Sequence, residues 1–126
     1  MRPIRVVLVE DNATFREALE LLLGMRDGIE VVAAVGDGEA AAETCLRLLP
    51  DVVLMDYRLP GLDGVQATRE VLSVAPGSAV VCLTAAANER ERRAFIEAGA
   101  RTCLHKDQDL DEIVLAIQEA AGRGAD

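Results

Sequence analysis

Basic residues are scarce in this chain: Lys and Arg total 13 against 22 Asp and Glu, a formal net charge of −9. A surface of that sign repels phosphate backbones and anionic lipid, which argues against nucleic acid as a direct partner. Long apolar sequence is missing too. No uncharged run reaches the roughly 20 residues that cross a bilayer, and the N-terminus lacks the apolar stretch of a secretion signal. The expectation is a cytoplasmic protein with no membrane partner. Paired cysteines are absent as well: Cys45, Cys82 and Cys103 are odd in number, far apart, and without C-x-x-C spacing. They read as buried thiols in a reducing compartment.

What is present is enough for one domain. The 126 residues are 51% hydrophobic and 28% charged, which fills a single core, keeps a soluble surface and argues against disorder. Apolar, β-branched runs at Ile4 to Val9, Ile29 to Val35, Val52 to Met55, Ala79 to Leu83 and Thr102 to Leu104 predict five short strands. Helical spacing lies between them. Phe15, Ala18, Leu19 and Leu22 follow i, i+3, i+4, i+7, as do Leu110, Ile113, Val114 and Ile117.

Punctuation agrees with that reading. Asp63-Gly64 opens the third helix, Pro76-Gly77 ends it, Gly99 follows the fourth, and Asp109 with Glu112 can cap the fifth. Apolar strands alternating with helices need both sheet faces covered. The expected fold is α/β: a doubly wound, five-stranded parallel sheet in the order 2-1-3-4-5, a flavodoxin-like three-layer sandwich. It should occupy residues 1–121, with 122–126 as a flexible tail and nothing after it to serve as an output module.

Ligands of such a sheet bind beyond the carboxyl ends of its strands, where strand order reverses. Polar residues collect there: the first strand ends in Glu10 and Asp11, the third in Asp56, the fourth in Thr84 and the fifth in Lys106. No comparable set marks the opposite rim. Carboxylates about 5 Å apart repel by roughly 3 kcal/mol per pair at an effective dielectric near 20, so a cation belongs among them. An oxygen-only donor set suits a hard ion, and Mg²⁺ better than Ca²⁺ where water and phosphate must also fit. Lys106 is the single lysine among thirteen basic residues. A compact ammonium suits a carboxylate and then a phosphoryl oxygen better than a broad guanidinium. Asp56, ending an apolar run, needs a partner to stay ionised, and a carboxylate so placed can attack phosphorus to form an acyl phosphate. Thr84 alone says little, since threonine is a common strand residue.

Together these residues resemble the receiver domain of two-component response regulators, over about residues 4 to 121. The matching pieces are Val7-Leu8-Val9-Glu10-Asp11-Asn12, Asp51 through Gly64, Leu83-Thr84-Ala85, and Lys106. The resemblance implies that Asp56 accepts a phosphoryl group from a histidine kinase or phosphotransfer protein. It also implies that Glu10, Asp11, Asp56 and the backbone carbonyl of Arg58 ligate Mg²⁺, and that Lys106 holds a phosphoryl oxygen. Thr84 would then swing toward the phosphoryl group and change the face made by the fourth helix, fifth strand and fifth helix. That face could meet an output domain, a protein partner or a second copy in a phosphorylation-dependent homodimer. Such a protein is a signalling switch rather than an enzyme acting on an external substrate.

Two positions depart from the family. Cys103 stands three residues before Lys106, where family members usually carry Tyr or Phe, so the resemblance does not carry the aromatic half of the switch to this chain. Asp107 follows Lys106 in place of the common proline, which resembles the branch whose members often carry a LuxR-type helix-turn-helix. His105 and Tyr57 are read as structural or surface residues. Three alternatives remain open at this level. A haloacid-dehalogenase-like phosphatase would use the same residue types, but Arg58 stands where its general-acid Asp belongs. A dinucleotide site is suggested weakly by Gly36-Asp37-Gly38-Glu39-Ala40-Ala41. A receiver-like interaction module independent of phosphorylation is suggested by Cys103.

Overall fold

The structure is a computed structural model that describes residues 2–85 and 88–123. Its elements alternate strictly: β1 (Ile4–Val9), α1 (Ala13–Gly24), β2 (Ile29–Val35), α2 (Gly38–Leu48), β3 (Val52–Asp56), α3 (Gly64–Val74), β4 (Ala79–Thr84), α4 (Glu89–Ala98), β5 (Thr102–His105) and α5 (Leu110–Ala120). The strands form one parallel sheet in the expected order β2-β1-β3-β4-β5. Central strands β3 and β4 are buried at every residue, while edge strand β2 is mostly half-buried. β2 carries one extra residue, Val32, because the register with β1 slips between Val6 and Val7.

Alternating side chains divide the core into two layers. Val7, Val9, Val53, Met55, Val80 and Cys82 face α2, α3 and α4; Val6, Leu8, Leu54, Val81 and Leu83 face α1 and α5. On α5 the expected stripe is buried, with Ile113, Val114 and Ile117 inside. On α1 it is not as expected. Ala18 is exposed and Leu22 is 45% exposed, while Leu19 and Leu23 are the buried pair. Among Leu21, Leu22 and Leu23 the sequence offers three identical side chains, and the helix turns the third inward.

Every helix starts with a side-chain cap, from Asn12, Asp37, Asp63, Asn88 and Asp109 respectively, each accepting from an N–H three residues on. Those caps lie in the loops after the strands' carboxyl ends, so one rim of the sheet collects both the loop residues and the helix N-termini. At the C-terminus, Arg123 N still donates to Gln118 O at 2.7 Å. The rest of the expected tail, residues 124–126, lies outside the described residues, as do 86 and 87 in the β4–α4 connection. No helix among the described residues is long and apolar enough to cross a membrane.

Candidate functional site

Asp56 and Thr84 are the last residues of β3 and β4 themselves, as expected. Their side chains are thus fixed by the ladder rather than by mobile loops. Glu10 follows β1, and its amide donates to Val35 O at 3.0 Å, which extends the β1–β2 pairing by one step. Glu10, Asp56 and Thr84 are each only 4% exposed, a rare situation for two carboxylates. Asp11 is exposed beside them. One oxygen from each of Glu10, Asp11 and Asp56 falls within 4.8 Å of the others.

The expected cation is already there in part. Lys106 Nζ lies 2.5 Å from Glu10 Oε1 and 3.2 Å from Asp56 Oδ2, at a mostly buried position. The same ammonium sits 4.9 Å from the centre of the Phe15 ring, a cation–π contact from α1. Lys106 is anchored through its backbone as well, donating N–H to Thr84 O at 2.8 Å. Thus the fourth and fifth strand ends are tied together at the residues that face the carboxylates.

Electrostatics follow from this crowding. Burial, then the charge of Glu10, push the Asp56 carboxyl up to about 6, against the lowering effect of Lys106. Burial alone would lower the Lys106 ammonium, yet its bond to Glu10 and the charge of Asp56 outweigh that and raise it. A carboxylate held that high has a strong incentive to gain positive charge.

Several supporting groups could not be read from the sequence. Glu10 Oε2 accepts the Asn12 N–H at 2.9 Å, and Glu10 O accepts Arg16 Nη1 at 2.7 Å, so the first turn of α1 clamps Glu10 from both ends. Gly64 is needed because a Cβ there would lie 2.1 Å from the Asp56 carbonyl oxygen; α3 begins in contact with the end of β3. Arg58 comes to the site through its N–H, which makes a long 3.4 Å contact with Asp56 Oδ1.

Other expected residues fall elsewhere. Tyr57 turns toward α4 and packs edge-on against Phe95 with ring centroids 5.7 Å apart. His105 Nδ1 lies 2.6 Å from Asp107 Oδ1, away from the acidic group. The glycine turn before α2 has no room for a pyrophosphate: a Cβ on Gly38 would meet Leu62 O at 2.5 Å, and Asp37 already accepts the Ala40 N–H. This removes the dinucleotide reading. The opposite rim also has a polar set that the sequence did not reveal. Asp51 accepts Arg5 N–H at 2.9 Å and Arg2 Nη2 at 3.0 Å, while Ser78 Oγ donates to Pro50 O at 2.6 Å.

Comparison with known proteins agrees with this geometry. The sequence model described as "Response regulator receiver domain" matches residues 6–118. The chain is 35% identical to the transcriptional regulatory protein DegU of Brevibacillus brevis over 97% of its own length and 52% of DegU. It superimposes on the signal receiver domain of the response regulator NarL from Mycobacterium tuberculosis with a TM-score of 0.92 at 34% identity, covering 97% of this chain and 98% of that one. A LuxR-family response regulator from Aurantimonas gives a TM-score of 0.89 at 33% identity, covering 98% and 89%. The chain spans about half the length of the curated relatives it matches. With its fold, its acidic rim and its relatives in agreement, this chain belongs to the response regulator receiver domain family.

Proposed function

We propose that this domain takes a phosphoryl group from a histidine kinase or phosphotransfer protein onto Asp56 and uses it to change a binding surface. The observation that carries the reading is the convergence of Glu10, Asp56 and Lys106 at the strand ends. Asp56 supplies the attacking oxygen. Lys106, already in reach of both carboxylates, moves its charge to the developing phosphoryl oxygens, the kind of positioned neutralisation on which phosphoryl transfer depends.

The acidic group fits a hard divalent cation, because its donors are all oxygen and a buried carboxylate among them is pushed up to about 6. Glu10, Asp11 and Asp56 would hold Mg²⁺ together with the Arg58 carbonyl. Bound there, the ion would neutralise charge on the transferring group. Thr84, at the end of β4, would then turn its hydroxyl to the phosphoryl group and draw on the connection to α4. The face of α4, β5 and α5 is the surface expected to change, toward an output domain, a protein partner or a second copy. We assign the receiver to residues 1–121 and a tail to 122–126, and place the protein in the cytoplasm. Arg58, in place of a general acid, disfavours a phosphatase of the dehalogenase type.

Intact-mass measurement after incubation with acetyl phosphate and Mg²⁺ tests the reading. One phosphoryl group per chain is expected, abolished by Asp56→Ala. Absence of label, or label that survives the substitution, would refute it.

A further inference from the structure

Cys103 lies on β5, and phosphoryl chemistry at Asp56 gives it no task. The register of β4 and β5 sets Cys103 directly beside Cys82. Registered residues of a parallel pair project to the same face, and both thiols are buried in the layer beneath α4. Neighbouring strands lie about 4.8 Å apart, inside the range of Cα separations that disulfides span, roughly 4.4–6.8 Å. Their interaction lowers Cys103 and, with burial, raises Cys82, and Cys103 is the one with surface left, 7% exposed against 0% for Cys82. Cys45 differs: it lies on α2, and burial raises it to about 11.

The cover over the pair is thin. Among its described residues α4 fully buries one side chain, Phe95. It touches Cys103 through Arg92, whose carbonyl lies 4.0 Å from Cys103 Sγ. Beside Arg92, Glu91 keeps Oε1 buried without a hydrogen-bond partner, a cost relieved when α4 lifts into water. An element with so little buried surface opens locally more often than the whole fold.

We propose that Cys82 and Cys103 form a peroxide-responsive dithiol, a modification site separate from Asp56. The Cys103 thiolate attacks hydrogen peroxide; an S–O bond forms, the O–O bond breaks, and hydroxide leaves to take up the thiol's proton as water. Cys82 sulfur then attacks Cys103 sulfur, forming S–S as the S–O bond breaks, and the departing oxygen leaves as water with the Cys82 proton. Two thiols are oxidised, one peroxide is reduced, and two waters are released. The bridge would sit two residues before Thr84 and three before Lys106.

The test is peptide mapping of the full chain after hydrogen peroxide, with alkylation under denaturing conditions and no reductant in the digest. A Cys82–Cys103 cross-linked peptide is expected, with Cys45 alkylated, and dithiothreitol should restore both thiols. In Cys82→Ser, dimedone should trap a sulfenic acid at Cys103. Cys82 and Cys103 both recovered alkylated at a peroxide dose that oxidises glutathione, or a bridge that includes Cys45, would overturn the proposal. The wild-type map decides the matter even where the serine variant does not fold, and neither readout depends on phosphorylation.

Discussion

Asp51 and Asp56 stand at the two ends of β3, and their surroundings could hardly differ more. Asp51 meets the Arg5 N–H and the Arg2 guanidinium, and the neighbouring Arg5 side chain donates to Leu48 O at 2.7 Å. It is a carboxylate whose needs are met locally. Asp56 instead shares a buried space with Glu10 and divides one ammonium with it. The first arrangement closes a rim; the second keeps a charge deficit in reserve. Chemistry therefore belongs to the end of the strand where the polar groups are left in competition.

The largest expected effect sharpens that contrast by pH. With its carboxyl at about 6 in the fold against 3.8 ordinarily, Asp56 holds a proton in the metal-free folded state that the unfolded chain has already released. Its contribution to stability is therefore present below about pH 4 and lost as pH rises through about 6. Asp56→Asn removes the loss. Urea titrations in EDTA should show the variant gaining about 3 kcal/mol on the wild type between those limits, a gain that saturating Mg²⁺ reduces. A stability difference flat across that range would break the comparison.

Next is Lys106→Ala, which should slow labelling by acetyl phosphate about 10²-fold, the usual cost of removing one charge-stabilising donor. Time courses by intact mass would show it, and an unchanged rate would remove Lys106 from the proposed chemistry. Asp51→Ala should do the reverse: labelling at the wild-type rate, with about 1–3 kcal/mol lost in denaturant unfolding as Arg5 N–H loses its acceptor. A labelling defect there would mean the two rims are coupled. Smallest is Arg2→Ala, since that ion pair has a 66% exposed arginine side chain; less than about 0.5 kcal/mol is expected from the same unfolding curves.

Much of this was legible in the sequence because the strands announce themselves twice, by unbroken apolar runs and by the polar residue that stops each run. Asp56 and Thr84 were placed correctly on that ground alone, as were the caps Asp63 and Asp109. Periodicity was a poorer guide on α1, where it pointed to Leu22 while Leu23 fills the core. The need for a cation among the carboxylates was also readable. So was the pairing of Lys106 with a carboxylate, but not that it reaches Glu10 as well as Asp56, which depends on how far β1 and β5 stand apart across the sheet. Nor could spacing reveal the Phe15 ring beneath the ammonium or the grip of Asn12 and Arg16 on Glu10, since contacts made by loop and helix geometry leave no periodic signature. The Asp51 cluster escaped notice because arginines near a terminus look like ordinary solvated charge.

The Lys106–Glu10 contact carries a consequence for how the domain waits between signals. Because the chain supplies its own counterion, a divalent ion arriving at these carboxylates has to displace a tethered one, and the step is an exchange. Half-occupancy should then need a higher free-ion concentration than the naked acidic trio would require. Without the ion, the ammonium still holds Glu10 and Asp56 together.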